Sequence, residues 1–135
     1  MTNKRELSCA ERVAGMWETT KAALDRFMND TSEDTYEEFR NYASSFDYVA
    51  PGTFSDRPRG YWRYQMMAGG PSDEIIFYGE HHGHRVHLEV AQYWFKDWFD
   101  GAFVDVTNEP CVKWLFEDLA EIGSVSHAYE QSIED

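Results

Sequence analysis

The sequence predicts an α+β fold: a four-stranded antiparallel meander sheet packed with two N-terminal helices and one C-terminal helix, in a single domain spanning residues 1–135. Three observations predict it. Apolar residues recur every three or four positions toward both ends of the chain, the period of an amphipathic helix. Between these ends lie stretches in which apolar and polar residues alternate, the period of a strand with one wet face. The length of 135 residues suits one core, since a chain of about 150 residues buries roughly two-thirds of its unfolded surface.

From Arg5 to Met28, the residues Leu7, Ala10, Ala14, Trp17, Leu24 and Met28 form an apolar stripe that Val13 and Phe27 widen. The cluster "NDTSEDT" ends this helix and supplies an N-cap for a second, with Thr35 and Glu38 at capping-box spacing and Tyr36, Phe39, Ala43 and Phe46 on one face. The stretch "VAPGTFSDRPRG" holds two prolines and two glycines and predicts a long loop, with Arg57 and Arg59 as a basic island. In "YWRYQMM", Trp62, Tyr64 and Met66 alternate with Tyr61, Arg63 and Gln65, which makes it the first strand. The turn "AGGPSDE" leads to the second strand, "IIFYG".

From Arg85 onward, Val86, Leu88 and Val90 alternate with Arg85, His87 and Glu89, a third strand with one wet face. The histidine-rich "EHHGH" is then a hairpin connection, with Gly83 free to take a positive φ. The strand continues through "AQYWFKDWF" to Asp100-Gly101, a hairpin signal, and returns as "AFVDV". The last helix starts at Thr107 or Asn108, carries Pro110 in its first turn and stops at Gly123. Val112, Leu115, Phe116, Leu119 and Ile122 face the core, with Glu117, Asp118 and Glu121 outside, and the tail "SVSHAYEQSIED" is expected to fray.

Charge narrows the function classes. The net charge is −13, and residues 64–135 carry 3 basic against 14 acidic groups, whereas residues 1–63 carry 9 against 11. Such a field disfavours direct binding of nucleic acid or an anionic membrane and attracts basic protein surfaces. Cys9 and Cys111 lie far apart with no metal-binding spacing, so two buried or half-buried free thiols are expected. No signal peptide and no run of about 18 apolar residues is present, so a cytoplasmic setting is expected.

His82 and His84 alternate on a strand and have the geometry to share a metal, but a defined site needs three or four converging ligands, so no metal or cofactor is expected. Asp97, Asp100 and Asp105 surround the predicted hairpin within reach of His87. No nucleophile elbow, phosphate loop or zincin helix accompanies them, so no catalytic residue is assigned and a non-enzyme is expected. "QYWFKDWFDGAFVD" carries aromatic residues on both faces of its strand, so cover on both faces is expected, the alternative being an exposed aromatic patch that would bind a protein partner. Trp94 and Trp98, with Asp97, Asp100, Asp105, Glu117, Asp118 and Glu121, are therefore the candidate partner-binding residues. Alternate strand residues lie roughly 6–7 Å apart, so rows of carboxylates can imitate successive phosphates.

Over residues 46–129, "GYWRYQMMAGGPSDEIIFYG" and "YWFKDWFDGAFVDV" resemble the small acidic accessory proteins of phages and plasmids to which anti-CRISPR and antirestriction proteins belong. A narrower likeness is to the plasmid KlcA/ArdB type of antirestriction protein, with Arg59-Gly60-Tyr61-Trp62 in place of its "GGYW" strand entry and Phe77-Tyr78 in its second aromatic strand. The histidine hairpin, the Asp-Gly hairpin and the acidic helix have no counterpart there, so the resemblance implies a functional class and no residue roles. The expected function is a non-catalytic inhibitor from a mobile genetic element that occupies a basic groove in a host defence nucleic-acid-processing complex, anti-CRISPR ahead of antirestriction, by nucleic-acid mimicry. The alternatives are an immunity protein for a basic nuclease toxin, and a metal-binding protein or metalloenzyme built on the His81–His87 hairpin.

Overall fold

A computed structural model of the chain describes residues 7–54, 57–83 and 85–134. The fold class is as expected, with one strand and one helix more than the pattern predicts. Two helices, α1 (Cys9–Asn29) and α2 (Glu33–Arg40), precede five strands: β1 (Ser45–Val49), β2 (Tyr61–Met67), β3 (Pro71–His82), β4 (Arg85–Asp97) and β5 (Asp100–Asp105). Helices α3 (Pro110–Glu121) and α4 (Ser124–Glu134) follow. The strands form one antiparallel sheet in the order β1-β2-β3-β4-β5, so each pairs with its neighbour in sequence.

Capping sets the helix starts. Ser8 accepts from the Glu11 N–H while the Glu11 carboxylate accepts from the Ser8 N–H at 3.1 Å, a reciprocal box that opens α1. The expected start at Arg5 lies outside the described residues. For α2 the cap is Ser32, which accepts from the Thr35 N–H, and Thr35 Oγ1 donates to Asp30 rather than forming the expected box with Glu38. The helix ends at Arg40, and Phe46 belongs to β1 instead. Five residues are too few to show a period clearly, yet Phe46 and Tyr48 do alternate with Asp47 and Val49, and Arg63 grips Asp47 across the β1–β2 ladder at 2.7 and 3.1 Å.

β3 begins at Pro71, inside the segment expected to be a turn. Two acidic residues that suggested a wet turn are buried within the sheet. Asp73 accepts from the Tyr93 hydroxyl at 2.7 Å and the Met67 N–H at 2.9 Å, and Glu74 pairs with Lys96 at 2.9 Å. Gly83 does take a positive φ, 65°. The alternation expected through Val86, Leu88 and Val90 breaks, because Tyr78 opposes Val90 while Gly79 opposes Leu88, leaving Glu89 as a bulge. Leu88 and Ala91, three apart, consequently both face the helices.

The connection between β4 and β5 also differs. Asp100 and Gly101 are the first residues of β5, and the turn is Trp98-Phe99. The carboxylate of Asp100 is engaged elsewhere, accepting from the Cys9 N–H at 2.7 Å at the start of α1. At the other end, Pro110 opens α3 and Gly123, φ 89°, follows it as expected. The chain then forms α4 rather than fraying, because Val125 and Ala128 are buried and the Trp62 indole donates to the Val125 carbonyl at 2.9 Å.

All four helices contribute to the core on one face of the sheet, where Trp17, Leu24, Leu115 and Phe116 meet Trp62, Ile75, Phe77, Tyr93 and Phe95. Burying each such side chain contributes about 1.5–3 kcal/mol. Cys9 and Cys111 are both buried and free. On the opposite face Val49, Tyr61 and Ile76 are also buried, with Tyr78 and Trp94 packed around them. The β1–β2 segment covers this face. Arg57 lies over the rings of Trp94 and Tyr61 at 4.5 and 5.1 Å, and Arg59 lies over Tyr78 and pairs with Glu89. The basic island is thus held by the chain's own aromatic and acidic groups.

Gly60 lets this segment close down, because a Cβ there would overlap the Tyr48 hydroxyl. Gly60→Ala should lower the unfolding free energy in urea by about 1–3 kcal/mol, and Tyr48→Phe in the same chain should recover part of that loss. No recovery would show that the clash is not with the hydroxyl.

Candidate protein-binding surface at the β4–β5 turn

Strands β4 and β5 pair from Gln92↔Asp105 to Asp97↔Asp100, leaving two residues, Trp98 and Phe99, to reverse the chain. Tight two-residue turns need positive φ at one or both positions, which is why Gly and Asn dominate them. Here Trp98 takes φ 58° and is the one non-glycine residue with positive φ among the described residues. A large aromatic in that region stores strain of about 1–3 kcal/mol. Nothing in the fold shelters the two rings: Trp98 is 86% exposed and Phe99 fully so.

The turn is held from both sides. Arg12 of α1 donates to Asp97 at 2.8 Å and lies over the Phe95 ring at 4.5 Å, while Asp100 receives the Cys9 N–H. That N–H holds the Asp100 pKa below the ordinary carboxylate value. The helix N-terminus adds a favourable field for an anion. Two carboxylates therefore fasten the base of the hairpin to α1 and leave the aromatic tip projecting. On the face away from the helices, Trp94 and Phe103 stack at 4.7 Å and 27°, with Phe103 half exposed. Two ladder pairs, Phe95↔Ala102 and Lys96↔Gly101, separate that pair from the residues flanking the turn.

Of the eight expected contact residues, Asp97, Asp100 and Trp98 come together at this tip, with Trp94 along the same hairpin. Asp105 lies at the far end of β5, where Thr107 binds it and lowers its pKa. Glu117 and Glu121 border a groove of about 840 Å³ between β4 and α3–α4, alongside Arg85, His87, Glu89 and Lys113. Asp118 lines a different groove and is half-buried; burial, then the nearby Glu121, raises its pKa. The carboxylates thus form no single row, and three of the six are engaged within the chain. Phe99, Phe103 and Arg57 belong to this surface and were missed. The signal for Phe99 was present in "DWFD", two aromatics framed by acids with no core position for either.

The histidines stand apart from this surface. His82 and His87 pack edge to face at 4.6 Å, and His81 rests against Tyr129 and Trp62, while His84 lies outside the described residues. His87 opposes Glu80 across the ladder, not the aspartates of β5. Among the described residues no group of three or more His, Cys, Asp or Glu side chains converges as a metal would require. Burial pushes the Cys111 thiol up to about 12, which leaves it protonated at neutral pH. No described helix is long and apolar enough to cross a membrane. Compared with known proteins, the chain matches no family model, no curated protein and no solved structure.

Two outcomes test this geometry. Trp98→Gly and Trp98→Ala both remove the ring, but only glycine relieves the positive φ, so Trp98→Gly should be the more stable by about 1 kcal/mol in urea unfolding; equal stability would mean the turn is unstrained. Asp100 has a lower pKa in the folded than in the unfolded chain, so its contribution is full above about pH 4 and vanishes as pH falls through the folded value. Asp100→Asn should therefore melt below the parent at pH 7, with the gap closing under acid. A gap that persists undiminished would rule out the charge as its cause.

Proposed function

We propose that the protein is a non-catalytic inhibitor carried by a mobile genetic element, and that it binds a host defence complex that processes nucleic acid, a CRISPR effector ahead of a restriction enzyme. One observation carries the reading: a strained, rigidly fastened turn presents Trp98 and Phe99 wholly to solvent on a chain of net charge −13. Strain at a turn persists where the surrounding structure imposes it, and such positions cluster at functional sites. Two adjacent exposed aromatics have the composition of an interface hot spot, in which large rings anchor and the surrounding charge steers.

The division of labour differs from simple mimicry of phosphate rows. Asp97, Asp100 and Asp105 maintain the hairpin and its surroundings. The net acidity draws the protein toward a lysine- and arginine-lined surface, and the aromatic tip enters an apolar recess there. Glu117 and Glu121, which remain exposed on α3, supply carboxylates at a second face. Binding should slow as salt rises, because steering among exposed charges is screened over about 8–10 Å at physiological ionic strength.

The immobilised protein, exposed to a bacterial host lysate at low salt and eluted by a salt gradient, should retain a nucleic-acid-processing complex. The double variant Trp98→Ala, Phe99→Ala should bind that complex at least about a hundredfold more weakly, a loss typical of two anchor residues, with an unchanged circular dichroism spectrum. Retention of full affinity by the variant would remove the tip from the interface, and specific capture of an unrelated class of protein would overturn the proposed target.

A further inference from the structure

Strand β4 outruns its neighbour. β5 pairs with residues 92–97 only, and the chain then leaves the sheet through Val106 and Thr107 to begin α3, so residues 85–90 of β4 have β3 on one side and no strand on the other. Thr107 closes the edge for one position: its hydroxyl accepts from the Ala91 N–H at 3.0 Å and donates to the Ala91 carbonyl at 3.3 Å. Beyond that position the edge is open. The His87 carbonyl oxygen lies 3.1 Å from where a Cβ on Gly79 would sit, so it points toward β3. Backbone groups alternate in direction along a strand, and the N–H and C=O of Val86 and Leu88 therefore point the other way, off the sheet. Among the described residues neither has a backbone partner there.

A groove of about 840 Å³ runs beside this edge, between β4 and helices α3 and α4. Val86 and Leu88 from the strand, Phe116 and Ala120 from α3 and Val125 from α4 give it apolar walls. An open strand edge next to an apolar recess is the arrangement that binds a peptide by strand addition: main-chain bonds give affinity, and alternate side chains entering the recess give selectivity. The lane continues that of β5, which is antiparallel to β4, and each added residue advances roughly 3.3 Å, so about four or five residues span the open stretch.

Charge selects the occupant at long range. Arg85 and Lys113 line the groove with Glu89, Glu117 and Glu121, and Glu89 is held by Arg59, so the groove itself is close to electrical balance. The field of the whole chain, net charge −13, then favours a basic segment and repels a second copy. We propose that the groove receives an extended segment of the basic partner as an added antiparallel strand beside residues 86–88, with apolar side chains at alternate positions entering the groove and basic residues flanking them. The source of the segment rests on the reading of a basic protein partner; the recognition itself makes no use of the aromatic tip.

The test needs no partner protein. The acetylated, amidated heptapeptide KVTVTVK is titrated into the full chain at low salt and followed by NMR, with EVTVTVE as its acidic counterpart. The basic peptide should shift the Val86 and Leu88 amides in a saturable way and slow their hydrogen exchange at least about tenfold. The acidic one should bind at least about tenfold more weakly, a gap that narrows as salt rises. Of two KVTVTVK versions N-methylated on alternate amides, one should lose binding and the other keep it, because one set of amides faces β4. Ala120→Trp, a change at an exposed helix position, should fill the groove and abolish binding with an unchanged circular dichroism spectrum, whereas Trp98→Ala with Phe99→Ala should leave binding intact. No saturable shift at Val86 and Leu88, or equal binding of both methylated peptides, overturns the proposal. Equal binding of the acidic peptide overturns the basic occupant, and a dimer in sedimentation whose dissociation shifts the same amides puts a second copy there instead. Peptide binding without capture of a nucleic-acid-processing complex refutes the proposed function alone, and capture without peptide binding refutes the groove alone.

Discussion

Ile75, Ile76 and Phe77 are consecutive in the third strand and all wholly buried. Successive strand residues point to opposite faces, so this short run requires apolar cover on both sides of the sheet. Helices supply it on one side, over Ile75 and Phe77. No described helix lies on the other side, and Ile76 is covered by its neighbours Val49 and Tyr61 and by the segment that joins the first two strands. That segment contributes Arg57 as a flat lid across Tyr61 and Trp94. The fold is thus a sheet with a thick core on one face and a thin, partly cationic cover on the other.

The asymmetry explains where the aromatic surface is. Trp94 lies at the limit of the thin cover, flanked by Arg57 and stacked on Phe103, beyond which the hairpin runs uncovered to its turn. Aromatic residues that a thicker layer would have absorbed are left at the margin. The acidic residues around them are chiefly structural: Asp97 and Asp100 take their partners from α1, and Asp105 braces the exit toward the third helix. A high acidic count therefore overstates the number of carboxylates free to meet a partner.

Much of the architecture is legible in the sequence because period dominates in long elements. Val13, Trp17, Leu24 and Phe27 of α1 and Val112, Leu115, Phe116 and Leu119 of α3 follow it. Leu7, Ala10 and Ala14, expected on the α1 stripe, and Ile122, expected on the core face of the last helix, are exposed instead, because the buried face of α1 is centred on Cys9, Val13 and Thr20 and α3 ends before Ile122. What escaped notice did so for identifiable physical reasons. The first strand is five residues long and shares its aromatics with the preceding helix pattern, so Phe46 fits either period. Asp73 and Glu74 suggest solvent, yet each is buried with a partner contributed by a strand distant in sequence, Tyr93 and Lys96. Asp100-Gly101 is an ordinary turn pair displaced by a tertiary demand, the capping of α1 by Asp100. At the candidate site, the aromatic content was visible but the exposed pair Trp98-Phe99 was not, since its exposure follows from that two-residue shift of the turn.

The sequential strand order has a consequence for how the chain comes together. Every pairing in the sheet joins neighbours, so the meander closes through local connections, of which only the β1–β2 segment is long, at little entropic cost, the circumstance that favours rapid folding. The helices depart from this pattern, α1 furthest: its first residue is fastened to Asp100, 91 positions later. During synthesis its apolar stripe of Val13, Trp17, Leu24 and Phe27 emerges first and waits on the order of ten seconds for the strand that will receive it. The nascent helix is thus the segment most in need of a chaperone's protection, and its docking is the step that converts a local meander into the native molecule.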